Sequence, residues 1–155
     1  MNDPGLASVR VTVTVAVDPA TAFAAFTEEI GEWYRAGVAV LPRPAPSTTL
    51  AFEPGPNAEV GVGGRLVEVD GNDGTVVERA RITVWESGAR LVFVDRRQTE
   101  VDVHFEPAPG GTRVVLEHRG LDRLAPEAAR KQGKFGWSRL AVWFEAHMAN
   151  RRERQ

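Results

Sequence analysis

The chain has 155 residues, 43% apolar and 26% charged, enough to bury a core as one domain without disulfides or metal staples. Its 19 basic and 21 acidic residues leave a net charge of −2, which argues against a polyanionic partner such as nucleic acid. Cysteine is absent, which excludes disulfides, thiolate nucleophiles and cysteine metal sites. No stretch approaches the ~18 apolar residues of a membrane span. Met1 to Ser8 lacks the basic start and apolar run of a signal peptide, so the expected setting is the cytoplasm.

Val9, Val11, Val13, Val15 and Val17 alternate with Arg10, Thr12, Thr14 and Ala16, the pattern of a strand with one buried face. Asp18-Pro19 then supplies an N-cap and a first-turn proline. Phe23, Phe26, Ile30 and Trp33 recur at helical spacing, with Gly31 expected to break the segment into two short helices. Periodicity vanishes from Arg35 to Thr49, where Pro42, Pro44 and Pro46 on alternate residues predict a surface crossing or a flap. Leu50 to Glu53 reads as a short strand, followed by a turn around Gly55, Gly61, Gly63 and Gly64. An antiparallel meander comes next, with strands over Arg65–Asp70, Thr75–Glu86, Ala89–Arg96, Thr99–Glu106 and Thr112–Arg119. Gly71-Asn72-Asp73-Gly74, Ser87-Gly88 and the run Pro107 to Gly111 mark turns between them. No repeat or linker interrupts the chain, so residues 1–155 are expected to form a single domain.

From Pro126 to Asn150 the period changes to that of a helix. Gly133, Trp137, Leu140, Ala141, Phe144 and Met148 fall on one stripe, while Ser138, Glu145, Ala146 and Ala149 lie away from it. A lone helix this apolar needs a sheet to bury it. Arg151, Arg152 and Arg154 beyond it suit the negative end of the helix dipole.

These elements, with their residues, resemble the SRPBCC (START-like, birch-pollen-allergen-like) superfamily, and within it the bacterial homologues of the activator of the heat-shock ATPase chaperone. The likeness is carried by Val17-Asp18-Pro19-Ala20 with Phe23 and Phe26, by Gly63-Gly64-Arg65, and by Trp85-Glu86 before Arg90-Leu91. Gly111-Thr112-Arg113-Val114, Leu116-Glu117-His118-Arg119-Gly120-Leu121 and Gly136-Trp137 continue it. The resemblance implies an α+β helix-grip fold: a curved antiparallel sheet of about six to seven strands wrapped around the long C-terminal helix, with two short helices after the first strand. Members of the superfamily carry apolar molecules, cyclise polyketides or bind chaperones, so fold alone leaves function open. The chain departs from the pattern at Trp33-Tyr34, where relatives often pair two tryptophans, and at Ser87-Gly88, where two prolines are common.

The residues that could carry chemistry are polar groups on otherwise apolar strand faces. Glu78 shares the alternating face of Val76, Ala80, Ile82 and Val84, and His118 that of Val114 and Leu116. A carboxylate and an imidazole there could orient a ligand or exchange a proton, or simply satisfy each other. His104 lies opposite Val101, Val103 and Phe105 and should point outward, and His147 sits on the shoulder of the helix stripe. Trp33 and Tyr34 suit a gate before the proline loop, Trp137 the core, and Trp143 a sheet edge or a partner. The expected ligand contacts are therefore Trp33, Tyr34, Glu78, His118, Trp137 and Phe144. Histidine spacing offers no metal pair, Gly61-Val62-Gly63-Gly64 lacks the lysine of a phosphate loop, and no serine nucleophile elbow is present. No metal, cofactor or catalytic residue is expected.

The first expectation is thus a domain binding an apolar or aromatic small molecule between sheet and C-terminal helix. The rivals are a polyketide cyclase or aromatase and a chaperone-associated interaction module. A monomer and a homodimer are both compatible with the sequence.

Overall fold

The structure is a computed structural model that describes residues 8–33, 48–53, 61–71, 73–95, 98–123 and 143–150. In chain order the elements are β1 (Ser8–Val15), α1 (Pro19–Glu28), α2 (Ile30–Trp33), β2 (Thr48–Glu53), β3 (Arg65–Asp70), β4 (Val76–Glu86), β5 (Arg90–Asp95), β6 (Glu100–Ala108) and β7 (Gly111–Arg119). A 3-10 turn over Leu121–Arg123 follows, and residues 143–150 form the described part of the C-terminal helix, α3. The seven strands make one curved antiparallel sheet in the order β1-β7-β6-β5-β4-β3-β2. Strands β2 to β7 are therefore a simple meander, and β1 closes onto its far end. This is the α+β helix-grip architecture.

Local chemistry explains the first crossing. Asp18 adopts an extended conformation and accepts the Thr21 amide at 3.2 Å, while Pro19 opens α1. The break between α1 and α2 falls at Glu29 rather than Gly31. The Glu29 amide donates to Ala25 O, and its own carbonyl accepts from Glu32 and Trp33, so one helix ends and the next turn begins on a single residue. Gly31 serves packing instead, because a Cβ there would come 3.2 Å from the Leu50 carbonyl oxygen of β2.

Directly paired residues in antiparallel strands share a face, so the register defines the inside of the sheet. Val13 pairs with Val114, Val114 with Phe105, Leu91 with Val103, and Phe93 with Val101; all are buried. Over this surface the aromatic rings form a continuous ladder. It runs Phe144–Trp33–Phe26–Phe105–Phe23–Trp85–Phe52–Phe93, with ring centroids 4.9 to 6.1 Å apart along it. Phe26 also meets Phe144 edge-on at 5.2 Å. Within the described part of α3 the faces are as the periodicity predicts: Phe144 and Met148 are buried, while Glu145, Ala146 and Ala149 are exposed; Gly133, Trp137, Ser138, Leu140 and Ala141 lie outside the described residues. His147 on its shoulder bonds Glu29 through Nε2 at 2.8 Å, tying α3 to the α1–α2 junction.

The outer face is held by charge. Asp102 of β6 is buried, and Arg90 grips both of its carboxylate oxygens at 3.1 and 2.9 Å. Arg119 adds a contact at 3.0 Å and His104 one at 3.1 Å, with the His104 side chain half-exposed. Burial pushes the Asp102 carboxyl up, but the Arg90 and Arg119 hydrogen bonds and the His104 charge outweigh it and hold the carboxyl below its ordinary value. A depressed carboxyl pKa contributes stability above the unfolded value of about 3.9, which is lost as pH falls through the folded value. Asp102→Asn is accordingly expected to cost about 2 kcal/mol at pH 7, and the difference from wild type should shrink as urea titrations move from pH 5 to pH 3. A pH-independent difference would show that packing, not charge, holds this cluster.

Candidate functional site

Toward the β5–β6 turn and the β2–β3 side, the inner face changes from aromatic to polar. His118 stands on β7 opposite Val9 and Val101 and is only 2% exposed. Its Nε2 lies 3.0 Å from the Thr99 hydroxyl, itself buried in the β5–β6 turn. The turn is built by Asp95, whose carboxylate accepts both the Thr99 amide at 3.0 Å and the Thr99 hydroxyl at 2.8 Å. A carboxylate only accepts, so the single hydroxyl proton of Thr99 is spent on Asp95. Thr99 Oγ1 must then accept from His118, which assigns the proton to Nε2. The result is a directional relay from imidazole through hydroxyl to carboxylate, joining β7 to the β5–β6 turn.

A second polar pair lies on the same face. Leu50, Glu68 and Val77 are aligned across β2, β3 and β4, so Glu68 shares the side of buried Leu50. Arg79 reaches it from β4 with Nε and Nη2 both 2.6 Å from Oε2, and the Glu68 side chain is 12% exposed. Strict alternation would forbid this. A register shift between Leu66 and Val67 makes Leu66 oppose Ala80 and Val67 oppose Glu78, which leaves Arg79 as an extra residue. Such a bulge re-aims side chains. Here it turns Arg79 inward and Glu78 outward.

Glu78 therefore does not share the Ala80 and Ile82 face. It stands on the outer side, 3.7 Å from Arg65 and 3.2 Å from Arg81. Arg65 also pairs with Glu53, and burial is outweighed by that bond in raising its pKa, the Glu53 hydrogen bond being the largest contribution. A second shift in β4, between Ile82 and Val84, turns Val84 out and Trp85 in, where Trp85 meets Phe23 and Phe52.

Among the other expected contacts, Trp33 is 2% exposed and packs between Phe26, to which it is tilted, and Phe144, which it meets edge-on, with its indole N–H donated to the Phe26 carbonyl at 3.2 Å. Phe144 is fully buried beside it. The structure thus places both in the ladder, while His118 belongs to the polar end. Trp143 packs half-buried against the core. Tyr34, Trp137 and the 35–47 part of the proline segment lie outside the described residues.

A family model described as Activator of Hsp90 ATPase homolog 1-like protein matches residues 16–149. The chain belongs to that family. It is thereby a member of the SRPBCC superfamily, the relationship its residues resemble. Solved structures agree with the fold of this activator-homologue-like chain. An AHSA1-like protein from Aeromonas hydrophila is 20% identical with a TM-score of 0.61, over 92% of each chain. A protein from Nitrosomonas europaea is 13% identical with a TM-score of 0.63, over 97% of this chain and 99% of that one. An anthrahydroquino-gamma-pyrone synthase, solved as a complex, is 28% identical with a TM-score of 0.54, over 88% of this chain and 96% of that one. No curated protein matches the chain. Among the described residues, no helix is long and apolar enough to cross a membrane.

Proposed function

We propose that this activator-homologue-like chain, acting as one domain over residues 1–155, binds an apolar or aromatic small molecule between the inner face of its sheet and its C-terminal helix. The observation that carries this reading is the Asp95–Thr99–His118 relay, buried on the inner face of a fold that often binds hydrophobic ligands. Buried polar groups that specify orientation inside a mostly apolar surface are the usual make-up of a small-molecule site. His118 supplies the anchor, and the half-buried Trp85 and Phe52 supply aromatic surface on the same face of the sheet. Glu78 takes no part.

The test is calorimetric titration and thermal shift with bicyclic phenols and ketones. Binding should raise the melting temperature, and Thr99→Val, which removes the hydroxyl but keeps the shape, should weaken it by about tenfold. Absence of any shift across the series would sink the proposal.

A second reading is favoured by the same relay and by the synthase similarity: an acid–base enzyme acting on a polycyclic ketone. An imidazole oriented through a hydroxyl by a carboxylate is suited to moving a proton. Asp95→Asn should then reduce turnover more than affinity, whereas equal loss of both would leave binding alone.

A further inference from the structure

We propose that the outer edge of β1 is an interaction surface for a second copy of this chain, the two β1 strands pairing antiparallel about a two-fold axis at Thr12 so that the two sheets join. This pairing is independent of any ligand on the inner face.

The two edges of the sheet differ. At one, α2 lies so close over β2 that a Cβ on Gly31 would stand 3.2 Å from the Leu50 carbonyl oxygen. At the other, β1 pairs with β7 alone among the described residues. Alternate residues of an edge strand turn their amide and carbonyl away from the sheet, so β1 presents a row of donors and acceptors. Proteins usually blunt such an edge with a proline, a bulge, an inward charge or a very short strand. β1 has none of these. Its 8 residues hold unbroken register with β7, and its one charged side chain, Arg10, is exposed on the outer face. All but Ser8 and Arg10 are valine or threonine, the residues a sheet favours.

The strand's own sequence decides the occupant. A two-fold axis perpendicular to the sheet keeps both inner faces on one side, so inward residues oppose inward ones. Centred on Thr12, it sets Val9 opposite Val15 and Val11 opposite Val13 of the second copy. That covers Val9 and Val11, which are half-buried where Val13 and Val15 are buried. On the outer face Thr12 meets its twin, and Arg10 meets the uncharged Thr14. Arg10 already lies beside Glu117 of β7, and Arg113, beside Thr14, is bound to Glu106 at 3.1 Å, so like charges do not oppose each other across the seam. Centring on Arg10 would set two guanidiniums face to face. Centring on Val11 or Val13 would leave Val15 or Val9 outside the paired strands. One strand pair is a small interface, so the dimer is a weak one.

The experiment is sedimentation equilibrium of the full chain from about 5 to 500 μM, the range for an interface of this size. Single cysteines accompany it and are unambiguous in a chain that has none. The wild type should move from monomer toward dimer mass with concentration. Opposed residues of an antiparallel pair stand ~4.5–5.5 Å apart, within disulfide reach, so Thr12→Cys should link to its twin under mild oxidation. Thr14→Cys would lie about 14 Å from its own twin and should not link. Both side chains are exposed on the outer face, so the fold tolerates either change. Thr12→Lys and Thr12→Glu should each weaken self-association about fivefold through like charges at the axis, and an equimolar mixture of the two should restore it. A wild type that stays monomeric throughout overturns the proposal. So does a dimer that Thr12→Cys links no better than Thr14→Cys, or a Lys–Glu mixture that associates no better than either variant alone.

Discussion

Phe26→Ala is expected to lower stability by about 4 kcal/mol and the melting temperature by roughly 10–15 °C. Phe26 is 1% exposed and is the branch point of the ladder, touching Trp33, Phe105 and Phe144. It joins α1 to α2, to β6 and to α3 at once. Truncation leaves a cavity walled by three rings on three different elements, which cannot all close in together. The transfer term and the cavity term therefore add. Phe52→Ala is the comparison, because Phe52 is half-buried at the far part of the ladder and should cost appreciably less. Urea titration followed by tryptophan emission reads both, since the Trp33 ring lies against Phe26 at 4.9 Å. A Phe26→Ala loss below about 1.5 kcal/mol would mean that the rings are neighbours without being a common core.

The two polar clusters show where a sequence yields its faces and where it withholds them. His118 could be placed from the pattern alone because β7 is regular and paired on both sides without a shift, so the parity of Val114 and Leu116 carries through to it. The same parity misplaces Glu78, because β4 has two register shifts and neither leaves a mark in the residue types. Arg79 and Glu68 were hidden for that reason; a basic and an acidic side chain on neighbouring strands look like ordinary surface. Asp95 and Thr99 were hidden differently. They straddle the end of a strand, and their partnership with His118 exists only once β6 and β7 pair. The signal that could have drawn notice was local: an aspartate four residues before a threonine can cap its own turn.

The start of α1 was legible because Asp18 and Pro19 encode it by short-range chemistry. Gly31 misled because a glycine has two uses, ending a helix and allowing close approach, and only the packed β2 strand selects the second. At Ser87-Gly88 the departure from the family's prolines has a local account. Gly88 has φ +80° and lies against Ala20 of α1, a backbone conformation proline cannot take.

Gly111→Ala is expected to destabilise the protein by about 3 kcal/mol, the upper end for forcing an extra carbon into packed structure. Gly111 opens β7 directly under the exit of β1. A Cβ there would stand 2.9 Å from the Val15 carbonyl carbon and 3.0 Å from Ala16 Cα, with the Val15 oxygen nearer still. These are backbone atoms and no rotamer relieves them. The surrounding chain cannot yield either: Thr112 pairs with Val15, and its buried hydroxyl donates to Val17 O at 2.7 Å, one residue before the Asp18 cap of α1. Displacing β1 here would therefore tilt α1 and disturb Phe23 and Phe26 behind it. Gly110→Ala is the matched control. Gly110 has φ +79° but open space around it, so alanine there should incur only the left-handed backbone penalty of about 1 kcal/mol. Denaturant midpoints of the two variants separate the effects, steric at 111 and conformational at 110. Equal midpoints would show that β1 can slide freely over β7, and the pairing inferred to hold the helix-grip closed would have to be assigned elsewhere.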